Sequence, residues 1–211
     1  MTELPASRDT LAKRAWTREE ALRVLEAPDR KETQDPEALW SRVGLRPGET
    51  VVDVGAGTGF FSVAAARRVG PDGRVFAVDL SAELVELLRT RRDREALAPL
   101  MPVLSDVSAI PLKSSIADIV LLANVLHDFP PSTVSEAVRL LKPDGRLVNI
   151  DWKKEETPGG PPYGIRLSPD EAAAVLRTHG LHAVERWPFG PWHYGLVTRR
   201  SGPASPGGKA R

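Results

Sequence analysis

Val51-Val52-Asp53-Val54-Gly55-Ala56-Gly57-Thr58-Gly59 is the stretch that decides the fold. Three of its first four residues are valines, the β-branched pattern of a strand buried on both faces. Three glycines in five residues then break the run, and Phe60-Phe61-Ser62-Val63-Ala64-Ala65-Ala66-Arg67-Arg68-Val69 continues with a helical pattern. A strand that delivers a glycine turn onto a helix N-terminus is the opening half of a βαβ unit. Glycines there admit tight backbone angles and let a ligand reach the main chain, while the helix start aims free N–H groups at it. A plain βα turn has no need of three glycines behind an acid, so the same stretch is the first candidate binding site.

The alternation continues outward. After the turn Pro71-Asp72-Gly73, residues 74–79 (RVFAVD) form a second buried strand, and residues 81–90 (SAELVELLRT) a helix whose Leu84, Leu87 and Leu88 share one face. MPVLSD, ending at Asp106, is a third strand and ADIVLLAN, ending at Asn124, a fourth. Residues 132–141 (STVSEAVRLL) make a helix stopped by the KPDG turn, and residues 145–152 (GRLVNIDW) a fifth strand. Ser168, Pro169 and Glu171 open another helix as cap, first residue and capping-box acid, and Gly180 ends it. The last runs, LHAVERW and HYGLVT, are separated only by PFGP and pair as an antiparallel hairpin. Upstream, Thr17 and Glu20 form a capping box for a helix carrying Ala21, Leu22, Val24 and Leu25, and Asp35-Pro36 starts a second.

With 211 residues, 41% of them apolar, the chain suits one α/β domain over residues 15–200, with the helices of residues 15–45 over the binding site. Residues 1–14 and 201–211, polar and rich in small residues, read as a flexible N-terminus and a disordered tail. Lys plus Arg number 29 against 28 for Asp plus Glu, which offers no broad field for a polyanion such as nucleic acid. Arg89, Arg91, Arg92 and Arg94 are interrupted by Asp93 and followed by Glu95, as on a solvated helix end. The sequence has no cysteine, which removes disulfides, thiolate metal sites and thiol nucleophiles. No leader-like or membrane-spanning apolar window occurs, and a cytoplasmic address is expected.

The glycine spacing is GxGxG, with Phe60 where a dinucleotide fold's GxGxxG has its third glycine. Such a fold also receives a pyrophosphate at the helix start, which Asp53 would repel, so Asp53 favours a cationic ligand. Asp79, closing the second strand, suits the two hydroxyls of a ribose, whether in a nicotinamide or another adenosine ligand. These residues resemble the first motif of the class I, Rossmann-like S-adenosylmethionine-dependent methyltransferases, over residues 35–200. The resemblance implies S-adenosyl-L-methionine as cofactor, with its methionine part on Asp53, Gly55, Ala56, Gly57, Thr58 and Gly59. It also implies the ribose on Asp79 with Leu80, the adenine on Asp106 with Val107, and a further contact at Asn124. The implied fold is a mostly parallel seven-stranded sheet with helices on both faces and a C-terminal antiparallel hairpin.

His127 and Asp128, just past the fourth strand, are the candidate catalytic acid–base pair. In-line methyl transfer leans mostly on alignment, so a base is needed only for a protonated nucleophile. The Asp/Asn-Pro-Pro-aromatic motif of nucleic-acid and glutamine amide methyltransferases is missing after strand four. Gly160-Pro161-Pro162-Tyr163 follows strand five and reads as part of a loop over the acceptor pocket. Residues 150–162 are similar to those of small bacterial and archaeal class I enzymes, and Trp16, Trp152, Tyr163, Trp192 and His193 are candidate pocket residues. Arsenite methylation through cysteines is disfavoured by their absence. The reading is thus methyl transfer to a small-molecule acceptor; the alternatives are a nicotinamide-dependent oxidoreductase and a catalytically silent cofactor-binding protein acting through a partner.

Overall fold

The computed structural model describes residues 17–28 and 30–200. The segments 1–14 and 201–211, and Trp16, lie outside the described residues. In chain order the elements are α1 Arg18–Leu25, α2 Arg30–Thr33, α3 Pro36–Arg42, β1 Thr50–Val54, α4 Phe60–Val69, β2 Arg74–Asp79 and α5 Ala82–Arg94. Then come β3 Leu100–Leu104, β4 Ala117–Ala123, α6 Pro131–Leu140, β5 Leu141–Trp152, α7 Pro169–Arg177, β6 Leu181–Phe189 and β7 His193–Arg200. Both capping boxes form, at Thr17 and at Ser168, and Asp35 caps α3 through Glu37 N and Ala38 N.

The strands form one seven-stranded sheet in the order β3-β2-β1-β4-β5-β7-β6. β1 to β5 are parallel, β7 runs antiparallel to β5, and β6 to β7, as expected from the sequence. Alternate residues of the central strands feed two cores. Val51, Ile119, Leu121, Val148 and Ile150 pack with Leu39 and Trp40 of α3 and Phe61, Ala65 and Val69 of α4. Val52, Val54, Val120, Leu122 and Leu147 face the other way, onto Val134 and Ala137 of α6 and Ala172 and Leu176 of α7. Period-two alternation with both faces covered explains the near-continuous apolar runs. Because strand order reverses between β1 and β4, the sheet opens a crevice at their C-terminal ends, where ligands bind in folds of this type.

Three details depart from the sequence reading. KPDG does not separate helix from strand: β5 already begins at Leu141, paired with Ala117, and the ladder shifts register before Ile119 pairs with Arg146. Gly145 permits this shift, since a Cβ there would lie 2.9 Å from Ala117 O and 2.7 Å from Leu141 Cδ1. In α5 Val85 is buried with Leu84 and Leu88, whereas Leu87 is only half-buried. In α1 Ala21 is the buried residue, and Leu22 and Val24 are exposed at 39% and 46%, so most of its apolar stripe stays outside the core. Among the described residues no helix is long and apolar enough to cross a membrane.

Candidate active site

A cavity of about 600 Å³ opens at the C-terminal edge of β1, β2 and β4. One wall is the glycine loop. Gly55 N and Ala56 N donate to Val78 O at 2.9 and 3.0 Å, which pins the loop to the end of β2. At Gly55, with φ +79°, a Cβ would stand 2.9 Å from Val125 Cγ1, so the loop tolerates no side chain beneath the β4 loop. Gly59, with φ +83°, starts α4 where a Cβ would meet Leu88 Cδ2 at 2.4 Å.

Two acids stand behind this wall. Asp53 is 2% exposed and its Oδ2 accepts from Ser62 Oγ at 2.5 Å. Burial pushes its pKa up to about 7; the Ser62 hydrogen bond and Arg30 oppose that rise, while Asp79 adds to it. Asp79 Oδ2 accepts from Gly57 N at 2.8 Å and Oδ1 from Ser81 N at 2.9 Å. Its pKa is raised by burial and restrained by the N–H groups of Ser81, Gly57 and Leu80. Each carboxylate oxygen has more than one acceptor site, so these bonds leave Asp79 able to receive hydroxyls as well.

Asp53, Gly55, Ala56, Gly57, Asp79, Leu80, Val107, Asn124, His127 and Asp128 all line the cavity. Thr58, Gly59 and Asp106 do not. Thr58 Oγ1 is buried without a partner, Gly59 serves the α4 start, and Asp106 Oδ1 is turned onto its own loop, accepting from Ser108 N at 2.8 Å and Ser108 Oγ at 2.6 Å. Trp152 and Trp192 line the cavity, His193 packs behind Trp152 with ring centroids 4.2 Å apart, and Tyr163 is 56% exposed outside the wall.

The β4 end carries the densest polar contacts. His127 is 3% exposed; its Nδ1 lies 2.8 Å from Asp151 Oδ1 and its Nε2 3.4 Å from Asp128 Oδ2. Burial alone would lower its pKa, but Asp151 and Asp128 outweigh burial and hold it up at about 10. His127 is therefore an imidazolium at neutral pH with a carboxylate at each nitrogen, a poor base in this state. Asn124, at φ +60°, donates Nδ2 to Gln34 Oε1 at 2.8 Å and keeps a buried Oδ1 without a partner. Gln34 Nε2 lies 2.9 Å from His193 Nε2. Burial, followed by Arg30, Arg166 and Lys153, drives the His193 pKa down to about 3, so this ring is neutral and Nε2 accepts.

The roof is the segment after β5. Pro158, Gly159, Gly160 and Pro161 line the cavity, and Arg166, 6% exposed, straps them down. Its Nε donates to Pro161 O, its Nη1 to Lys153 O, Glu155 O and Thr157 Oγ1, and its Nη2 to Gly159 O, while the guanidinium sits 5.4 Å from the Trp152 ring centroid. From the other side Arg30 of α2 enters the wall, 4.1 Å over the Phe60 ring, with its pKa lowered to about 10 chiefly by burial.

The sequence reading missed Asp151, Arg30, Gln34 and Arg166. Asp151 had a signal, since it ends a buried strand as Asp53 and Asp79 do. The other three sit in weakly patterned segments, where no local rule marks them out.

A family model described as a methyltransferase domain matches residues 52–149. A ubiquinone/menaquinone biosynthesis C-methyltransferase of Bordetella parapertussis is 31% identical over 176 residues, 68% of this chain and 67% of that protein. An arsenite methyltransferase of Halobacterium salinarum is 30% identical over 156 residues, 67% of this chain and 39% of that protein. Among solved structures, a SAM-dependent methyltransferase from Aquifex aeolicus aligns with a TM-score of 0.79 and 31% identity, covering 84% of this chain and 95% of that one. The chain spans between about a third and two thirds of the length of the curated relatives it matches.

Proposed function

Because this chain belongs to the S-adenosylmethionine-dependent class I methyltransferases, we propose that it transfers a methyl group from that cofactor to a small-molecule acceptor held in the cavity at the end of β4. The observation that carries the proposal is the shared cavity itself: the glycine loop, Asp79 and the Asn124–Phe129 loop all line it. Membership of this family sets aside the nicotinamide alternative.

The residues fit the cofactor. Asp53 is a buried carboxylate only half-ionised near neutral pH, which a cation would ionise, and Asn124 Oδ1 is a buried acceptor lacking a donor. Asp53, Gly55, Ala56, Gly57 and Asn124 would hold the methionine part, Asp79 with Leu80 the ribose, and Val107 the adenine. When bound, S-adenosylmethionine supplies an electrophilic methyl on a sulfonium. The chain supplies alignment and a dry site: Phe129, Trp152 and the Pro158–Pro161 roof exclude water, and Leu25 of α1, Arg30 of α2 and Gln34 just after α2 cover the loop. His127, fixed between two carboxylates, positions Asp128, and Asp128 takes any proton that the acceptor releases. The arsenite relative's chemistry is not carried over, since this sequence contains no cysteine. A cytoplasmic setting belongs to the same proposal.

The test uses S-adenosylmethionine with a labelled methyl group and a cell extract split into small-molecule and macromolecular fractions. Label in a small molecule is the expected result. Label confined to RNA or protein would overturn the small-molecule acceptor, and intact cofactor binding without transfer to either fraction would favour the catalytically silent alternative.

A further inference from the structure

Arg30 brings into the cavity a cation that the protein does not pair. Its guanidinium stands over the Phe60 ring, and of the five N–H donors such a group carries, one goes to Leu25 O. The others have no hydrogen-bond partner among the described residues. The carboxylates that act on it from nearby are engaged elsewhere: Glu26 pairs with Arg91, and Asp53 accepts from Ser62. His193, the other titratable group facing it, is neutral. A half-buried guanidinium in this position calls for a ligand anion whose oxygens accept its remaining N–H groups.

Its position selects the anion. Gln34, one helical turn further on, accepts from Asn124 Nδ2 at the end of β4, and Asp53, on which Arg30 acts electrostatically, lies near the end of β1. The guanidinium therefore stands over the crevice between β1 and β4, where the methionine half of the cofactor would lie. That half carries a carboxylate. The same arginine also holds the segment above it. Through Leu25 O it grips the last turn of α1, whose Leu25 side chain rests on the glycine loop: a Cβ on Gly57 would stand 3.0 Å from Leu25 Cδ1. Otherwise α1 is lightly held. Ala21 is its buried residue, and its polar ties to α5 are Arg18 N to Glu83 and Glu26 to Arg91.

We infer that Arg30 latches the α1–α2 segment to the cofactor: its free N–H groups take the carboxylate of the amino-acid tail, and its bond to Leu25 O holds α1 down over the glycine loop. This rests on reading the cavity as the S-adenosylmethionine site. A nucleoside thioether without that carboxylate fills the adenosine end but leaves the segment unlatched, so the site closes only around the complete cofactor or its demethylated product.

Three thioethers test this: S-adenosylhomocysteine, its decarboxylated analogue, which keeps the amine, and methylthioadenosine, which has no tail. In calorimetry the decarboxylated analogue is expected to bind the unaltered protein about ten- to a hundredfold more weakly than S-adenosylhomocysteine, and Arg30→Gln within about threefold of it. With each ligand at saturation, tryptic cleavage after Arg23 and Lys31 is expected to slow about tenfold with S-adenosylhomocysteine and less than about twofold with the other two. In Arg30→Gln, saturating S-adenosylhomocysteine should also slow it less than about twofold. Equal affinity for S-adenosylhomocysteine and its decarboxylated analogue would overturn the carboxylate contact, and equal protection by all three ligands would overturn the latch. Both comparisons are made on the unaltered protein and stand even if Arg30→Gln does not fold. Binding of none of the three would instead sink the cofactor reading on which the inference rests.

Discussion

Asp79→Asn is the substitution that tests the cofactor geometry most directly. The Asp79 carboxylate receives Gly57 N–H and Ser81 N–H, one on each oxygen, and a ribose would add a hydroxyl to each. Hydrogen bonds to a charged group contribute about 1.5–3 kcal/mol each and neutral ones about 0.5–1.5. The amide retains one neutral acceptor in place of two charged ones, so the loss is about 1.5–5.5 kcal/mol, or roughly 10- to 8,000-fold in Kd. Calorimetric titration with S-adenosylhomocysteine reads this, and the same titration with its 2′-deoxy analogue completes a double cycle: the analogue should bind more weakly than the parent to the unaltered protein and nearly equally to the variant. The melting temperature of the ligand-free variant separates loss of the contact from loss of the fold, because the new NH₂ opposes either Gly57 N–H or Ser81 N–H. Binding of S-adenosylhomocysteine within about threefold of normal by a folded variant would refute the ribose assignment, since even one charged contact exceeds that.

Three further outcomes follow from the site. Asp53, raised to about 7, should ionise when a cationic ligand enters, so S-adenosylmethionine affinity should climb between about pH 6 and 8 with proton release visible in buffers of different ionisation enthalpy; a flat profile without release would contradict it. His127 keeps its proton to about pH 10 in the fold against an ordinary 6.5, so its stabilisation is complete below about pH 6.5 and disappears as pH rises toward 10; thermal melts should slope downward across that window, less so in His127→Gln. Arg166→Met strips the donors from the roof and should speed tryptic cleavage after Lys153 and Lys154 while leaving S-adenosylhomocysteine affinity within about threefold, whereas Arg166→Lys should restore little, because one ammonium cannot reproduce a five-donor fork.

The parts of the molecule legible in the sequence are those governed by local rules. VVDV followed by three glycines announces a buried strand and its turn because strand burial and positive φ each demand particular residues at particular positions. Val51, Val52 and Val54 are indeed fully buried, and Gly55, Gly57 and Gly59 all adopt positive φ. The terminal hairpin was equally legible, since four turn residues leave no room for a crossover helix. The start of β5 was not, because the pairing of Leu141 with Ala117 depends on Gly145 approaching a carbonyl distant in sequence. Burial in α5 went to Val85 rather than Leu87 for a similar reason: a helix pressed against a sheet buries an arc set by its neighbours, not by its own repeat.

At the site the same distinction separates the residues that local rules mark out from those they do not. Asp53, Asp79 and Asn124 are strand-end residues, and a parallel sheet carries such residues to one edge whatever the rest of the chain does. His127 and Asp128 were visible as a pair, but the contacts that distinguish them were not, because they depend on Asp151 arriving from β5 at 2.8 Å to occupy the second imidazole nitrogen. That contact raises the His127 pKa, and Asp128 keeps one oxygen without a hydrogen-bond partner. A sequence lists donors and acceptors; which of them remain free is decided by contacts between strands.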